Sequence, residues 1–487
     1  MQNEPITRQE ILLNAVATGD VANLEPITRE EMFLAKLGGA DVTTPTPITR
    51  KEQFLQKAIE SGTSGGGGTP GGGGGGTASV PWNDVTFIDY DGTVLHSYTL
   101  EEAQALTELP PLPEQKGLIC QGWNWSLEDI KAQGKVIVGA MYITDDGKTR
   151  IYITLHEGRT SPMLGVCPKG TVTVDWGDGT EPDVLTGTSL TTVKWTPTHE
   201  YAKAGDYVIS LSVDGSMGLG GSGSDNNGAA SLRYSSSANN INKVYQNAIT
   251  KVEIGDGVTY LGGYSFSYCY SLKSVTIPKS VTSIPTYAFN YCNALLSVVF
   301  PNKVKSISSY VFSRCNALAS VSIPNGVTSI EGFAFQYCCS LTSVVIPKSV
   351  TSIVSKSFNH CHSLPAVVIP NGVTSIPPVF GDCHALASVV IPESVTSILT
   401  KAFYNCYSLA SVFIPNGVTN IEAQTFYNCY GVRYFDFSAC TSVPTLASSD
   451  AFTGIPADCQ FLIPSALYDE WSTATNWATY ASKMVAV

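Results

Sequence analysis

Carboxylates that lie close together are the first residues in this sequence whose types and spacing could support chemistry. Asp89 and Asp91 flank a single tyrosine, and Asp175 and Asp178 are three residues apart. Paired carboxylates in a turn can bind Ca²⁺, but a solvated Asp-Gly turn is the simpler interpretation and the one that we favour. We therefore expect no cofactor, with Ca²⁺ as the alternative.

Two further patterns match known site motifs in sequence but lack the surrounding structure that a metal or dinucleotide site needs. His360 and His362 are the one close pair among the six histidines, and a solvated loop is favoured over a metal site there. Residues 218–223 satisfy the pattern GxGxxG, but no βαβ unit surrounds them. Neither pattern predicts a metal or dinucleotide site.

The stretch from Phe87 to Val94 resembles the DxDGT signature of haloacid-dehalogenase phosphatases, because Asp89 and Asp91 are followed by Gly92 and Thr93. The resemblance implies one aspartate as nucleophile, the other as acid/base, and a bound Mg²⁺. That chemistry needs a strand leading into a long α/β domain, whereas a hairpin turns back here at once. We therefore predict that the protein is not an enzyme.

The composition indicates a multidomain protein and narrows its partners. The chain has 487 residues, 14% of them charged, and a formal net charge of −12. Lysine and arginine are not clustered, which argues against nucleic acid or another polyanion as a partner. The sequence lacks a long apolar run and a basic-then-apolar start, so we expect neither membrane insertion nor signal-dependent export.

A motif that recurs every 22 or 23 residues organises the C-terminal half of the chain. Each copy has a phenylalanine, a cysteine three residues later, then a leucine and an apolar-proline pair. Such a period is typical of a solenoid, whose units bury their apolar faces against one another. The phenylalanines are Phe266, Phe289, Phe312, Phe335, Phe358, Phe380, Phe403 and Phe426, and the cysteines are Cys269, Cys292, Cys315, Cys338, Cys361, Cys383, Cys406 and Cys429.

The regular position of these cysteines predicts a row of small buried free thiols, with disulfides or metal as the alternative. Cys338 and Cys339 form a doublet and not a CxxC pair, so zinc spacing is missing. The repeats over residues 250–430 resemble the BspA-like class of leucine-rich repeats, known from microbial surface proteins and adhesins. The resemblance implies stacked rungs with short strands at Ser-Val-x-Ile-Pro and Val-Thr-Ser-Ile.

The residues on either side of the repeated cysteine vary while the scaffold around them stays constant. Tyrosine, histidine and arginine on a rigid face are typical of a recognition surface, because they bury much area at low entropic cost. An ordinary polar-aromatic cover over the turn is the alternative. The candidate receptor-contact residues are Tyr268, Tyr291, Arg314, Tyr337 and His360 before the cysteine, and Tyr270, His362, His384, Tyr407 and Tyr430 after it.

The first sixty residues contain a second repeat, Pro-Ile-Thr-Arg, with a period of 21. Each copy has capping-box spacing, with a threonine followed three residues later by glutamate, and predicts a short helix. Isolated helices of about ten residues are marginal, so we expect them to dock on a partner, with a frayed tail as the alternative. The candidate anchor residues are Ile6, Thr7, Ile27, Thr28, Phe33, Ile48, Thr49 and Phe54.

Between the two repeats, alternating patterns predict two small β-rich modules. The first contains two hairpins, the second of which joins residues 136–144 to residues 149–155. The second module has Trp176-Gly-Asp178-Gly, then His199-x-Tyr201, and resembles the polycystic-kidney-disease type of β-sandwich, a spacer and adhesion module. That resemblance covers about fifty residues.

The predicted fold class is mainly β and multidomain, with a small α+β module, a β-sandwich and a leucine-rich-repeat solenoid. The predicted segments are 1–61 (three anchor helices), 62–79 (Gly-rich linker), 80–165 (α+β module), 166–215 (β-sandwich), 216–243 (Gly/Ser/Asn linker), 244–430 (solenoid) and 431–487 (a cap containing a helix pair).

Adhesion-type modules without an export signal favour a phage particle, and several segments resemble structural proteins of phages and prophages of gut Firmicutes. We predict a virion fibre or decoration protein, assembled in the host cytoplasm and carried on the virion surface. Its N-terminal helices would bind other virion proteins, and its solenoid a host surface protein or glycan. A bacterial cell-surface adhesin is the alternative, and a homotrimer is an alternative to the monomer.

Overall fold

The computed structural model describes residues 84–220, 232–233 and 243–487, which are mainly β with a C-terminal solenoid of about 10 turns. The predicted fold class is therefore confirmed. The anchor residues between Ile6 and Phe54 and the Gly-rich linker lie outside the described residues. None of the helices in the described ranges combines the length and apolarity needed to cross a membrane.

The first sheet has four strands in the order β2-β1-β4-β3. Strands β1 and β2 form the predicted antiparallel hairpin around Asp91-Gly92, where the φ of +92° suits glycine. Helix α1 begins at a capping box formed by Thr99 and Glu102, and Ser126 caps helix α2. The elements are β1 (Val85–Ile88), β2 (Val94–Tyr98), α1 (Leu100–Ala105), β3 (Leu118–Trp123), α2 (Leu127–Gln133) and β4 (Val136–Thr144).

The second sheet has nine strands. The prediction of a second hairpin, between residues 136–144 and 149–155, was wrong. Strand β5 forms over the predicted residues but pairs with β9 and β11, while β4 stays in the first sheet. Sequence alternation locates a strand but does not identify the edge on which it pairs. The elements are β5 (Thr149–Leu155), β6 (Met163–Asp175), β7 (Asp183–Thr188), β8 (Lys194–Trp195), β9 (Gly205–Leu219), β10 (Leu232–Arg233), α3 (Lys243–Gln246), β11 (Ile249–Glu253), β12 (Val258–Leu261) and β13 (Ser274–Thr276).

This second sheet is continuous with the first solenoid rungs, because β11 pairs antiparallel with β5 and parallel with β13. The predicted boundaries at 165/166 and 215/216 fall inside strands β6 and β9. The motif that suggested a β-sandwich forms a local cluster: the Trp176 and His199 rings stack 4.4 Å apart, and the Tyr201 hydroxyl donates to the Trp176 carbonyl. The strands of this region thus belong to one nine-stranded sheet.

The solenoid rungs stack through two ladders of short parallel strands. Apolar side chains alternate inward along each strand, as the repeat predicted. The first ladder continues from β13 with β14 (Ser297–Val299), β16 (Ser320–Ser322), β18 (Ser343–Val344), β20 (Ala366–Val368), β22 (Ser388–Val390), β24 (Ser411–Phe413), β26 (Tyr434–Asp436) and β28 (Gln460–Ile463). The second comprises β15 (Ser306–Ile307), β17 (Ser329–Ile330), β19 (Ser352–Ile353), β21 (Ser375–Ile376), β23 (Ser397–Ile398), β25 (Asn420–Ile421) and β27 (Thr445–Leu446).

The repeated phenylalanines form a continuous buried stack at the centre of the solenoid. Adjacent rings lie 5.2–5.8 Å apart with interplanar angles of 15° or less. Each ring is therefore packed between two copies of itself, and no ring of the stack reaches solvent. Removing one ring would leave a cavity that its neighbours, fixed in register by the strands, cannot fill.

The repeated cysteines are free and buried, which confirms the predicted thiol row. From the second rung onward each Sγ donates to the carbonyl of the preceding rung's phenylalanine, for example Cys338 to Phe312 at 3.3 Å. Burial raises the pKa of Cys383 to about 12, so its thiol stays protonated at neutral pH. The cysteine thus joins adjacent rungs as a small donor.

The four-stranded sheet packs on the first-ladder face of the solenoid. Ile88, Ile137 and Met141 form an apolar cluster with Val299. The Asn124 amide donates to the Ser322 hydroxyl at 2.9 Å and the Phe300 carbonyl at 3.2 Å, both in buried positions. The predicted α+β module is therefore fixed to the early rungs.

In later rungs, the position equivalent to Val299 is exposed to solvent. Val368, Val390 and Phe413 occupy the repeat position of Val299 and are 58%, 52% and 46% exposed. The four-stranded sheet thus covers only the early part of the first-ladder face. This difference between equivalent positions provides matched controls for substitutions in the covered rungs.

The regular rungs extend beyond the predicted end at residue 430. Strand β26 pairs with both β24 and β28, and Phe452 stacks on Phe426 at 5.5 Å. The phenylalanine-cysteine spacing breaks after Cys429 because the next unit is longer, so sequence alignment lost the period. The chain then forms a 3-10 turn (Ser465–Leu467), α4 (Tyr468–Thr473), a 3-10 helix (Trp477–Lys483) and β29 (Met484–Ala486).

Two tryptophans of these terminal helices cover the last rungs. Trp471 and Trp477 are buried and contact Phe437, with ring centroids 5.2 and 5.4 Å from its own. A solenoid end would otherwise expose apolar side chains and unpaired strand edges. The helices therefore have the capping role that the sequence predicted, although the second is 3-10 and not α.

We expect Phe335→Ala to lower the free energy of unfolding by about 3–5 kcal/mol, because it opens a cavity in the centre of the phenylalanine stack. Phe413→Ala, which removes an equal side chain from an exposed position, should cost less than about 1 kcal/mol. Urea unfolding followed by circular dichroism measures both. Equal losses in the two variants would contradict the stacked core.

The fit between sheet and solenoid predicts a compensating pair of substitutions. A Cβ on Gly139 would lie 2.5 Å from both Val299 methyl groups, so Gly139→Ala should destabilise by about 1–3 kcal/mol. Adding Val299→Ala should recover most of that loss, since it removes both methyl groups. Adding Val390→Ala, at the uncovered equivalent position, should recover nothing. The double-mutant cycle is read from urea midpoints.

Candidate recognition surface

Each rung contains a tight turn around its phenylalanine, with left-handed residues two positions before and two after it. Left-handed backbone costs a non-glycine residue about 1–2 kcal/mol. Here the backbone N–H of the second residue donates to the next rung, as from Tyr268 to Asn290 at 2.7 Å and from Arg314 to Gln336 at 2.7 Å. The hydrogen bonds between rungs fix these residues in register, so their side chains form straight rows.

Three rows of side chains result, and together we call them the recognition surface. Row A lies two positions before each phenylalanine, row B two positions after it, and row C directly after the repeated cysteine. Row A contains Tyr264, Tyr287, Tyr310, Phe333, Lys356, Lys401 and Gln424; row B contains Tyr268, Tyr291, Arg314, Tyr337, His360, Asp382, Asn405 and Asn428; row C includes Tyr270, His362, His384, Tyr407 and Tyr430.

The structure brings the ten sequence-predicted contact residues together in rows B and C. Sequence reasoning missed row A, because it considered only the neighbours of the cysteine. The repeat itself held the signal, since an aromatic residue recurs two positions before the phenylalanine in four consecutive units. One unit departs from the pattern: Pro378 takes the row A position, and its ring prevents a positive φ.

Aromatic rings within each row stack face to face. In row A, Tyr264, Tyr287, Tyr310 and Phe333 follow one another at centroid distances of 4.7, 4.6 and 4.4 Å. In row C, His384 and Tyr407 lie 4.5 Å apart, followed by Tyr430 at 5.4 Å. Because the stacked faces cover one another, the rows present ring edges and polar atoms outward.

Arg314 lies between two tyrosines of row B. Its Cζ is 5.2 Å from the Tyr291 ring centroid and 4.3 Å from that of Tyr337. A guanidinium between two aromatic faces is held flat by cation–π contact while its edge remains available for hydrogen bonding. This charge is therefore fixed in position although the residue is exposed.

Three histidines gather on two adjacent rungs. His360 stacks on Tyr337 at 4.2 Å, and its ring lies 5.6 Å from that of His362, which stacks on His384 at 4.5 Å. The Asp382 carboxylate is 3.6 Å from His360 Nε2 and accepts from the Asn405 amide at 2.8 Å. The cluster therefore combines imidazoles with one carboxylate.

Burial is the main cause that lowers the pKa of His360 and of His362 below the usual histidine value. His384 lowers the pKa of both further, His360 also lowers that of His362, and Arg314 and Lys356 lower that of His360, while Asp382 opposes both shifts. Since the unfolded state binds protons first, the stability that the neutral forms contribute is present above about pH 6.5 and declines as the pH falls below it.

The aspartate pairs considered for chemistry occupy structural turns. Asp89 is buried and accepts from Gln115 Nε2 at 2.6 Å, and the Gly92 turn beside it packs against Ser297. Asp178 accepts from Thr180 and contacts His199 Nε2 at 2.9 Å. Within the described residues, no group of three or more His, Cys, Asp or Glu side chains is placed to hold a metal ion.

The GxGxxG stretch also belongs to ordinary structure where it is described. Gly218 lies in strand β9, which pairs with β6 on one side and β12 on the other. A Cβ there would lie 2.4 Å from the Leu190 carbonyl oxygen, so a close backbone approach explains this glycine. Gly223 lies outside the described residues.

The sequence of the repeats matches a known family model. Residues 240–365 and 329–455 match the model of the BspA type leucine rich repeat region. The solenoid repeats are therefore similar to BspA-type leucine-rich repeats. This match confirms the resemblance stated for residues 250–430, and it extends, like the strand ladders, past residue 430. No curated protein matches the chain.

Solved structures with similar repeats come from several bacteria. A leucine rich cell surface protein from Faecalibacterium prausnitzii is 25% identical over 50% of this chain and 78% of its own, with a TM-score of 0.29. The T. pallidum leucine-rich repeat protein is 27% identical over 37% and 73%, with a TM-score of 0.28. The pneumococcal vaccine antigen PcpA is 19% identical over 47% and 64%, with a TM-score of 0.33.

The geometry of the histidine cluster predicts that a substitution of Asp382 changes the pKa of His360. Because the Asp382 carboxylate raises the pKa of His360 against the effect of burial, Asp382→Asn should lower that pKa further. NMR titration of histidine-labelled protein measures it, with the histidines outside the surface as internal references. An unchanged or higher pKa of His360 in the variant would show that the two groups do not interact.

Proposed function

We propose that the protein is a surface-recognition protein of the adhesin type, which binds a cell-surface ligand through rows A, B and C. The observation that carries the proposal is the contrast within each rung. The phenylalanine, cysteine and leucine repeat without change in the core, while the outward residues at the left-handed positions and beside the cysteine differ from rung to rung. Variation at outward positions of a constant scaffold suits a binding surface.

The rigidity of the rows supports this function. The aromatic side chains of the rows stack on those of neighbouring rungs, so much of their freedom is already lost before a ligand arrives. Binding then requires little further ordering, and tyrosine and arginine are the residue types that contribute most at interfaces. An enzymatic role has no comparable support, and its absence remains our prediction.

A phage virion fibre is the narrower form of the proposal, and a bacterial adhesin is its alternative. The fibre hypothesis depends on the Pro-Ile-Thr-Arg helices as particle anchors and on the Gly-rich segment as a tether, both outside the described residues. Attachment to other virion proteins, location on the virion surface and trimer formation stay predictions. Both forms place the same recognition surface against a cell.

The recognition surface predicts which substitutions abolish attachment. Tyr407→Ser with Tyr430→Ser should weaken binding of the full chain to cells about tenfold, because both exposed rings are lost from row C. Val390→Ser with Phe413→Ser, on the first-ladder face, removes comparable exposed apolar area and should leave binding unchanged. Fluorescently labelled protein and flow cytometry over a panel of bacterial strains and epithelial cells provide the measurement.

Equal binding by the two double variants would exclude the recognition surface as the contact. A third variant without residues 1–61 separates the two forms of the proposal. If the protein is a fibre, this variant should still bind cells but should no longer cosediment with phage particles. If the full chain itself does not cosediment with particles, the fibre form is wrong and the adhesin form remains.

A further inference from the structure

The exposed cations of rows A and B lie on alternate rungs. Arg314, Lys356 and Lys401 belong to the rungs of Phe312, Phe358 and Phe403, and one rung without a cation in either row separates each from the next. Rungs are about 4.8 Å apart, so the charges recur about every 10 Å along the solenoid axis. Three basic residues from distant repeats thus recur at a regular axial interval, with Arg314 in row B and the two lysines in row A, and we call this series the line of cations.

The line is held in place by aromatic neighbours. Arg314 lies between two tyrosine rings, Lys356 Nζ is 5.5 Å from the Phe333 centroid, and Lys401 Nζ is 5.4 Å from that of Tyr404. All three side chains are exposed. Their charges are therefore both positioned and accessible to a ligand.

The histidine cluster lies on the rung of Lys356 and on the next rung, which separates Lys356 from Lys401. His360 faces Arg314, Lys356, His384 and Asp382, and His362 faces His360, His384 and Asp382. Asp382 is the one carboxylate in rows A, B and C. Protonation of the imidazoles therefore converts a locally mixed segment into a positive one.

We propose that rows A to C bind a linear anionic polysaccharide along the solenoid axis, and that acidification strengthens this binding. The inference rests on the proposed function and specifies its ligand. A linear polysaccharide with one carboxylate or sulfate per disaccharide carries its charges at close to the two-rung interval. The sugar rings between them would lie against the outward edges and hydroxyls of the stacked tyrosines.

The same geometry disfavours a nucleic acid. Phosphates along one strand recur about every 3.4 Å, which is three times as dense as the cations here. Single-stranded nucleic acids also need free aromatic faces for base stacking, whereas the rings of these rows already cover one another. Spacing and stacking both favour the polysaccharide.

The formal net charge of −12 conceals this line of cations. The basic residues are 42 and 45 positions apart in the chain, so the sequence shows no cluster, and its net charge argued against a polyanion partner. Stacking of rungs places them side by side. Salt screens charges that lie more than about 8 Å from a ligand. The charges on the binding face therefore govern contact with the ligand, and the net charge of the whole chain does not.

The pH response has a defined sign. Burial and neighbouring positive groups hold the pKa of His360 and His362 low, so both imidazoles are neutral at pH 7.5. A bound anion favours their protonated forms, so binding takes up protons and tightens as the pH falls toward 5.5. Asp382→Asn removes the competing carboxylate and should tighten binding severalfold at pH 7.5.

The test measures binding of the full chain to immobilised hyaluronate, unsulfated chondroitin, which like hyaluronate carries one carboxylate per disaccharide, and neutral dextran between pH 5.5 and 7.5 at fixed ionic strength. We expect binding to both acidic polysaccharides, at least tenfold weaker in Arg314→Gln/Lys356→Gln/Lys401→Gln. The control Lys116→Gln/Lys169→Gln/Lys194→Gln, with exposed lysines elsewhere and an equal charge change, should bind like the original protein. His360→Gln/His362→Gln should lose the gain at pH 5.5. Thermal unfolding confirms that each variant is folded.

Several outcomes would overturn the inference: equal binding to dextran, equal losses in the two triple variants, tighter binding to single-stranded DNA than to hyaluronate, or no dependence on pH. The cell-binding experiment separates this failure from failure of the proposed function. If the Tyr407/Tyr430 variant loses cell attachment while neither acidic polysaccharide binds, the surface is a recognition surface for another ligand. If polysaccharides bind but cell attachment is independent of the rows, the ligand class stands and the adhesin role is wrong.

Discussion

The stacking of identical rungs is the constraint on which the rest of this structure depends. Each phenylalanine packs between its copies above and below, each cysteine thiol joins its rung to the preceding one, and short parallel strands keep the register. Because no rung can bury its apolar face alone, the core is cooperative along the axis. The left-handed turns and the three rows of side chains on the surface are regularly spaced because the rungs beneath them stack in register.

Much of the solenoid was predictable from sequence, because an interpretation of one repeat unit can be checked against every other unit. The position of Phe335, of Cys338 and of the strands around them recurs so often that one interpretation fits all copies. The hairpin at Asp91-Gly92 and the Thr99 capping box were also predictable, since both depend on residues close together in the chain. The match to BspA-type repeats agrees with that local analysis.

The errors concern relations between distant segments. Strand β5 was placed correctly and paired wrongly, because alternation does not show which edge a strand will meet. The contact of Asn124 with Ser322 joins residues 198 positions apart and has no local signal. Likewise the candidate surface was found only where side chains flank the cysteine. Row A and the regular line of Arg314, Lys356 and Lys401 became apparent when the rungs were stacked.

Docking of the four-stranded sheet on the early rungs has a consequence for how this protein can change. The sheet and helix α2 contact the rungs from β13 to β18, whereas the later rungs contact each other and the C-terminal helices. Gain or loss of one whole unit in that later stretch would keep every backbone contact in register. Unequal recombination between repeated units can therefore lengthen, shorten or reshuffle the binding face in a single event while the stacking contacts between rungs are kept.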